Sequence, residues 1–143
     1  MEKMPKYTLL LHDSIIHHGR ILYRIRALRD LPKTGIRADT LGGYVAGYSN
    51  LDLWEGDAFI ADDAKAFDES RVEGNALVKD HAQIFGDAIA RDEAVMSGFA
   101  IAKHRAILCG SARLIDAAAA EGTVFIGGHA VVHTTVNQGT IMD

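Results

Sequence analysis

The chain has little of what would stabilise a small secreted domain or anchor a membrane protein. It holds one cysteine, Cys109, in 143 residues, so no internal disulfide can form. That usage fits a reducing, cytoplasmic setting. Prolines are scarce as well: two against fourteen glycines suggest many tight corners and little flexible linker. Charge of one sign is lacking too: 15 Lys and Arg stand against 19 Asp and Glu, a net charge of −4. This is too mild for a nucleic-acid or anionic-membrane partner, and for an acidic nucleic-acid mimic. No apolar run approaches a bilayer span. The opening MEKMPKYTLLLHDSII has only a few apolar residues together and no small-residue cleavage site after them, so neither a signal peptide nor a membrane span is expected.

What is present is a repeat. Counting in sixes from Ala58 to Met142 visits fifteen positions, eleven of them alanine, with Ser70, Val124, Val136 and Met142 in the others. Two residues after the small one comes a mostly aliphatic position, with Ile60, Val72, Val78, Ile84, Met96, Leu108, Leu114, Ile126 and Val132 as examples. Two residues before it stands Gly or Asp, as at Gly56, Asp62, Asp68, Gly74, Asp80 and Gly86. Residues two apart on a strand point to the same side. Gly and Asp accept the backbone angles of a sharp corner. One unit therefore reads as a short strand plus a corner, its small and aliphatic residues turned inward. An amphipathic helix would need a period near 3.6, and pentapeptide repeats recur every five. Right-handed parallel β-helices usually have less regular turns. The hexad predicts an all-β, single-stranded parallel β-helix with three hexads per turn.

With eighteen residues per turn, every eighteenth residue stacks. Phe67 should lie under Phe85, Glu73 by Arg91, Asp87 by Arg105 and Lys103 by Glu121. Residues 58–142 make about five turns, roughly 23 Å at ~4.8 Å per rung. Residues 1–45 do not follow the hexad and are expected to form a cap, leaving 46–143 as the β-helix. KYTLLLHD and ILYRIRALRD read as two strands of a hairpin around SIIHHG, and LPKTGIRADTLGGYV reads as a loop into the coil. At the far end Thr134, Thr135, Asn137, Gln138 and Thr140 form a polar last rung, with Gln138 in an inward slot of an unslipped register.

YRIRALRD at 23–30, LGGYV at 41–45 and Asn50-Leu51, followed by these hexads, resemble the YdcK-like β-solenoid proteins. The resemblance implies a left-handed helix, opposite to the usual crossover rule. It also implies kinship with trimeric hexapeptide-repeat proteins, among them acyltransferases and gamma-class carbonic anhydrases. The chain looks shorter than full-length bacterial relatives of that kind. A compact phage or mobile-element version would fit, sequestering a ligand or inhibiting a partner.

Each candidate for chemistry has a plainer reading. An acyltransferase would need a histidine at an intersubunit cleft with acyl-CoA along the coils. His104 is the candidate, because it holds a corner that elsewhere takes Gly or Asp; flanked by Lys103 and Arg105, it is more simply a solvated corner residue. Such enzymes often interrupt the coil with a loop, and the hexads from 58 to 142 contain none. Zinc would need three or four ligands around one point. Among His81, His104, His129 and His133, the last two alone would be ~13 Å apart along a strand. No metal site within one subunit and no cofactor are expected, which leaves a zinc site shared between subunits as the weaker enzymatic reading. His17 and His18 belong to the hairpin turn, where exposure is the default. Cys109 has no adjacent base and reads as structural. GSARLIDAAAAEG and IGGHA are hexads, not phosphate loops. Arg24 and Arg26 share a side of their strand near Arg20 and Arg29, a grouping that could hold a phosphate-bearing ligand or simply face solvent.

The outward residues carry more. One face should show Phe59, Leu77, Val95, Arg113 and Val131, and a second Arg71, Ile89, Ile107 and Phe125. The third is mainly polar, with Lys65, Gln83, Ala119 and Asn137 beside Ile101. Apolar faces need cover, from the hairpin or from another copy of the chain. The expectation is a non-enzymatic homo-oligomer, a trimer by analogy and a dimer next, acting as a binding or scaffold module for a protein or small molecule. Phe59, Leu77, Val95, Ile89, Ile107 and Phe125 would form its interface.

Overall fold

The computed structural model describes residues 4–143; residues 1–3 of the expected cap lie outside the described residues. The chain is a β-solenoid of about six turns with an antiparallel hairpin at its N-terminal end. After the hairpin strands β1 (Tyr7–His17) and β2 (Arg20–Ala27) comes β3 (Leu41–Val45). Strands of two or three residues then follow at six-residue spacing. They stack into three sheets, one of seven strands that includes the hairpin and two of five. Parallel partners are eighteen residues apart, as in Leu77–Val95–Arg113, Gln83–Ile101–Ala119 and Ile89–Ile107–Phe125.

The interior is the lining read from the repeat. Ala76 with Val78, Ala82 with Ile84, and Ala94 with Met96 are each wholly buried. The small member lets three walls approach while its aliphatic neighbour fills the axis, so the core is a continuous column. Every corner from Gly56 to Gly128 has φ between 56° and 68°, and each corner residue is Gly, Asp or His104. Most L-residues would be destabilised there by roughly 1–2 kcal/mol, which is why the alphabet is so restricted. Phe67 and Phe85 stack with centroids 4.9 Å apart. Lys103 meets Glu121 at 3.5 Å, whereas Glu73 turns to Arg71 at 3.7 Å instead of Arg91.

The ends depart from the sequence expectation. The first strand does not stop before SIIHHG. It continues through Ile15 and Ile16, which pair with Leu22 and Ile21, and the turn shrinks to His18 and Gly19, both at positive φ. A two-residue hairpin turn with the right twist requires that geometry. The irregularity instead falls at a bulge between Leu10 and Ser14. LGGYV is a strand and not a loop, antiparallel to β2 and parallel to Lys65–Ala66, so it adds a rung. That is why there are about six turns and not five. Its glycines hide the pattern: a Cβ on Gly43 would stand 2.2 Å from the Ala64 carbonyl oxygen.

The register also slips at both ends. Val45 pairs with Ala66 and Leu51 with Val72, 21 residues apart, before the spacing settles at 18 from Ile60–Val78 onward. The extra length is extruded at 52–57, where Trp54 and Glu55 are exposed. In the last turn the spacing shortens. Val136 pairs with Ala120, Ile141 with Ile126, and Gln138 is left exposed rather than inward. Val136 and Ile141 pack against the core. Apolar side chains take slots that strict counting assigns to a glutamine and to a position past the chain, because burying an unpaired amide is costly.

The hairpin closes the N-terminal end. Tyr7, Leu22, Ile25 and Leu31 are buried there, and the Tyr7 hydroxyl donates to the Leu51 carbonyl at 2.7 Å. Lys6 is wholly buried, its Nζ donating to the Ala58 carbonyl at 3.0 Å.

Candidate functional site

His104 has a structural explanation. Four of the five corner aspartates accept the backbone N–H one turn on: Asp62 from Asp80, Asp68 from Gly86, Asp80 from Gly98 and Asp92 from Gly110, at 2.9–3.1 Å. His104 does the same through Nδ1, which accepts from the Gly122 N–H at 3.0 Å. Its ring replaces a carboxylate as an inter-rung acceptor, which accounts for a histidine in a corner otherwise given to Gly and Asp. Repeat counting located the odd residue. It could not supply the acceptor role, which depends on the αL corner aiming the side chain along the coil.

Arg24 is engaged within the chain. It lies over the Tyr44 ring at 4.4 Å, donates to the Gly42 carbonyl at 2.9 Å and to the Tyr44 hydroxyl, and approaches Asp63 at 3.4 Å and Asp13 at 3.5 Å. Burial opposes its charge, but the hydroxyl and carboxylates outweigh it and its pKa rises. Arg26 is exposed, across an irregularity in the β2–β3 pairing from Arg24. The extra residue of that irregularity lies in β3, so Arg24 and Arg26 keep one side of β2, with the Arg24 guanidinium already engaged by its own chain. Arg20 pairs with Asp68 and sits 5.4 Å from the Phe67 centroid.

His17 is drawn onto the coil instead of standing in solvent. Its Nε2 bonds the Gln83 side-chain oxygen at 3.0 Å, its ring stacks on His18 at 4.1 Å, and it meets Phe67 edge-on at 5.3 Å. Burial lowers its pKa although the Gln83 bond opposes that. No group of three His, Cys, Asp or Glu among the described residues could hold a metal ion. Cys109 is buried and unpaired. A depression of about 160 Å³ near the extruded loop is lined by Ser49, Asp52, Arg71, Val72 and Glu73.

The outward residues stand in register along the flats. Phe59 is wholly buried, and a Cβ on Gly42 of β3 would lie 2.8 Å from its ring. It belongs to the core and not to an interface. Leu77 and Val95 are half-buried, Arg113 is exposed and Val131 is 51% exposed. On the next face Arg71 is exposed, while Ile89, Ile107 and Phe125 form an unbroken half-buried apolar ladder. The hairpin tip touches the third face, through Gln83, and its corner, through Phe67 and Asp68. The element available to cover an apolar face thus lies against the polar one.

No family model matches the chain, and neither a curated protein nor a solved structure matches it. The fold class, a hexad-built parallel β-solenoid, is therefore established by the structure alone. No helix among the described residues is long and apolar enough to cross a membrane.

Proposed function

We propose that this chain is a non-catalytic module that self-associates through the apolar flats of its solenoid, and that the assembly binds or scaffolds a ligand or partner. We place it in the YdcK-like, left-handed branch of hexapeptide-repeat proteins on the words YRIRALRD and LGGYV. The supporting observation is where the hairpin goes. It binds the polar Gln83 face and leaves the Ile89–Ile107–Phe125 ladder outward, a patch that solvent alone covers poorly.

Multi-angle light scattering over a concentration series tests the association, with a multiple of the chain mass as the expected result. Thermal-shift screening with acetyl-CoA tests the enzymatic alternative, since a ligand bound to the native state raises its apparent stability. A CoA-dependent shift abolished by His104→Ala, together with a monomeric mass at every concentration, would overturn the proposal.

A further inference from the structure

We infer that the face bearing Arg71, Ile89, Ile107, Phe125 and Thr140 is the seam of a two-fold homodimer. Two copies would lie face to face with their coil axes antiparallel and the Ile107 strand on the symmetry axis. This rests on the self-association proposed above and specifies its surface and geometry.

The pattern of the face is the first argument. Its five outward residues are stacked in strict order, Arg71 beside Ile89, then Ile107, Phe125 and Thr140. The apolar three are central and both ends are polar, so the pattern reads alike from either end. Face-to-face packing of identical surfaces requires a two-fold axis lying in the seam. An axis along the Ile107 strand reverses the rung order. Ile107 then meets Ile107 of the partner subunit, Ile89 meets Phe125 of the partner subunit, and Arg71 meets Thr140 of the partner subunit. An axis along the coil would instead set Arg71 on Arg71 within the flat, whereas the antiparallel axis opposes like charges only at the exposed rim, where Arg105 faces Arg105 of the partner subunit and solvent screens the pair.

The other faces do not offer this. On the Leu77 face, Arg113 breaks the apolar run between Val95 and Val131, and Phe59 is buried. On the Gln83 face the hairpin tip is already seated.

Area is the third argument. A flat of six residues by five rungs measures ~20 Å by ~24 Å, and covering it on both copies removes on the order of 1,000 Å² from water. That is the low end of specific interfaces, which predicts a reversible dimer and not an obligate one.

The test uses rim positions, so that the seam itself is left intact. In a Cys109→Ala background, Arg105→Cys sits on the rim of the axial rung. Asp87→Cys and Thr123→Cys flank it one rung to either side, and all three positions are exposed. Sheets packed face to face lie about 10 Å apart, so a bismaleimide of similar span is the reagent. The expected result is that Arg105→Cys cross-links to itself, while Asp87→Cys links to Thr123→Cys in mixtures but not to itself. Ile107→Arg should halve the measured mass, and Val95→Arg should leave it unchanged. A wild-type oligomer that Val95→Arg dissociates and Ile107→Arg does not would overturn the seam while leaving self-association intact. Self-linking by Asp87→Cys, or none by Arg105→Cys in a wild-type dimer, would overturn the antiparallel arrangement. A monomer at every concentration would remove both this inference and the reading beneath it.

Discussion

Lys6 should make the protein more stable in alkali. Its ammonium is sealed beneath the hairpin, where it donates to the Ala58 carbonyl at 3.0 Å. Burial pulls its pKa from 10.5 down to about 8; Asp52 opposes this, Arg29 adds to it, and Asp57 and Glu55 oppose it again. The unfolded chain holds its proton up to about 10.5, whereas the folded chain releases it near 8. Between those values the unfolded state binds more protons, so stability rises with pH. At ~1.4 kcal/mol for each pH unit between the two values, the whole effect is about 3 kcal/mol, of which about 2 falls between pH 8 and pH 10. Tyr7 works the other way. Burial raises its pKa, so the stability it contributes is present below about pH 10 and lost above it as the unfolded phenol ionises first. Taken together, these two groups add stability up to about pH 10 and remove it beyond. Urea unfolding of wild type and Lys6→Met at pH 7, 8, 9 and 10 isolates the lysine, because other titrations cancel in the difference. Lys6→Met should gain on wild type at pH 7, less about 1–3 kcal/mol for the carbonyl left unpaired, and lose that relative gain by pH 10. Parallel pH profiles for the two proteins would refute the reasoning and mean that water reaches the ammonium.

Other substitutions probe the corners and the lining. His104→Asp should hold stability within about 0.5 kcal/mol, while His104→Ala loses the acceptor for Gly122 at an unrelieved positive φ and should cost about 1–2 kcal/mol by chemical denaturation. Gly56→Ala drives a Cβ to 2.1 Å from the Gly74 carbonyl oxygen at φ 68° and should cost more than about 2 kcal/mol. Gly47→Ala enters open space with extended backbone and should change the melting temperature little. Ser70→Ala should be close to neutral: the hydroxyl shares its one proton between the Phe67 and Ile84 carbonyls, but both already accept backbone N–H groups and alanine fits most other slots of this kind. A loss above about 2 kcal/mol would mean that the hydroxyl organises the turn.

The coil was legible in the sequence because its geometry repeats. An αL corner every sixth residue forces Gly or Asp, and a narrow wall forces Ala, so local rules and global fold coincide at each hexad. The ends were less legible because the rules compete there. LGGYV reads as a loop by its glycines, yet those glycines are required by the backbone of Ala64 and Ile60 pressing against β3. Gln138 reads as inward by counting, but the chain gives up register to put Val136 in that slot. The docking of His17 on Gln83 joins residues 66 apart and leaves no periodic trace. Arg24 and Arg26 share a side of β2 as their spacing says, but the engagement of Arg24 by Tyr44, Gly42 and Asp63 across the sheet leaves no trace in the sequence.

The corners also change how the charge should be read. Asp62, Asp68, Asp80, Asp92 and Asp116 all sit at positive φ on coil corners. All but Asp116 bond the backbone one turn on. Setting these five aside from 19 acidic residues leaves 14 against 15 basic ones, so the chain would be close to neutral. Its acidity is thus a consequence of building corners, since an aspartate there satisfies both the αL backbone and the N–H above it. Each carboxylate fixed in that way has one oxygen committed to the coil, and Asp68 gives its other to Arg20 of the hairpin. Selectivity then falls to the flats, where outward side chains are free of backbone duty, and among these the Ile89–Ile107–Phe125 ladder is the longest uninterrupted apolar run. The same logic explains why a histidine at a corner signals architecture here: the coil asks each corner for an acceptor that tolerates αL, and neutral imidazole meets both demands.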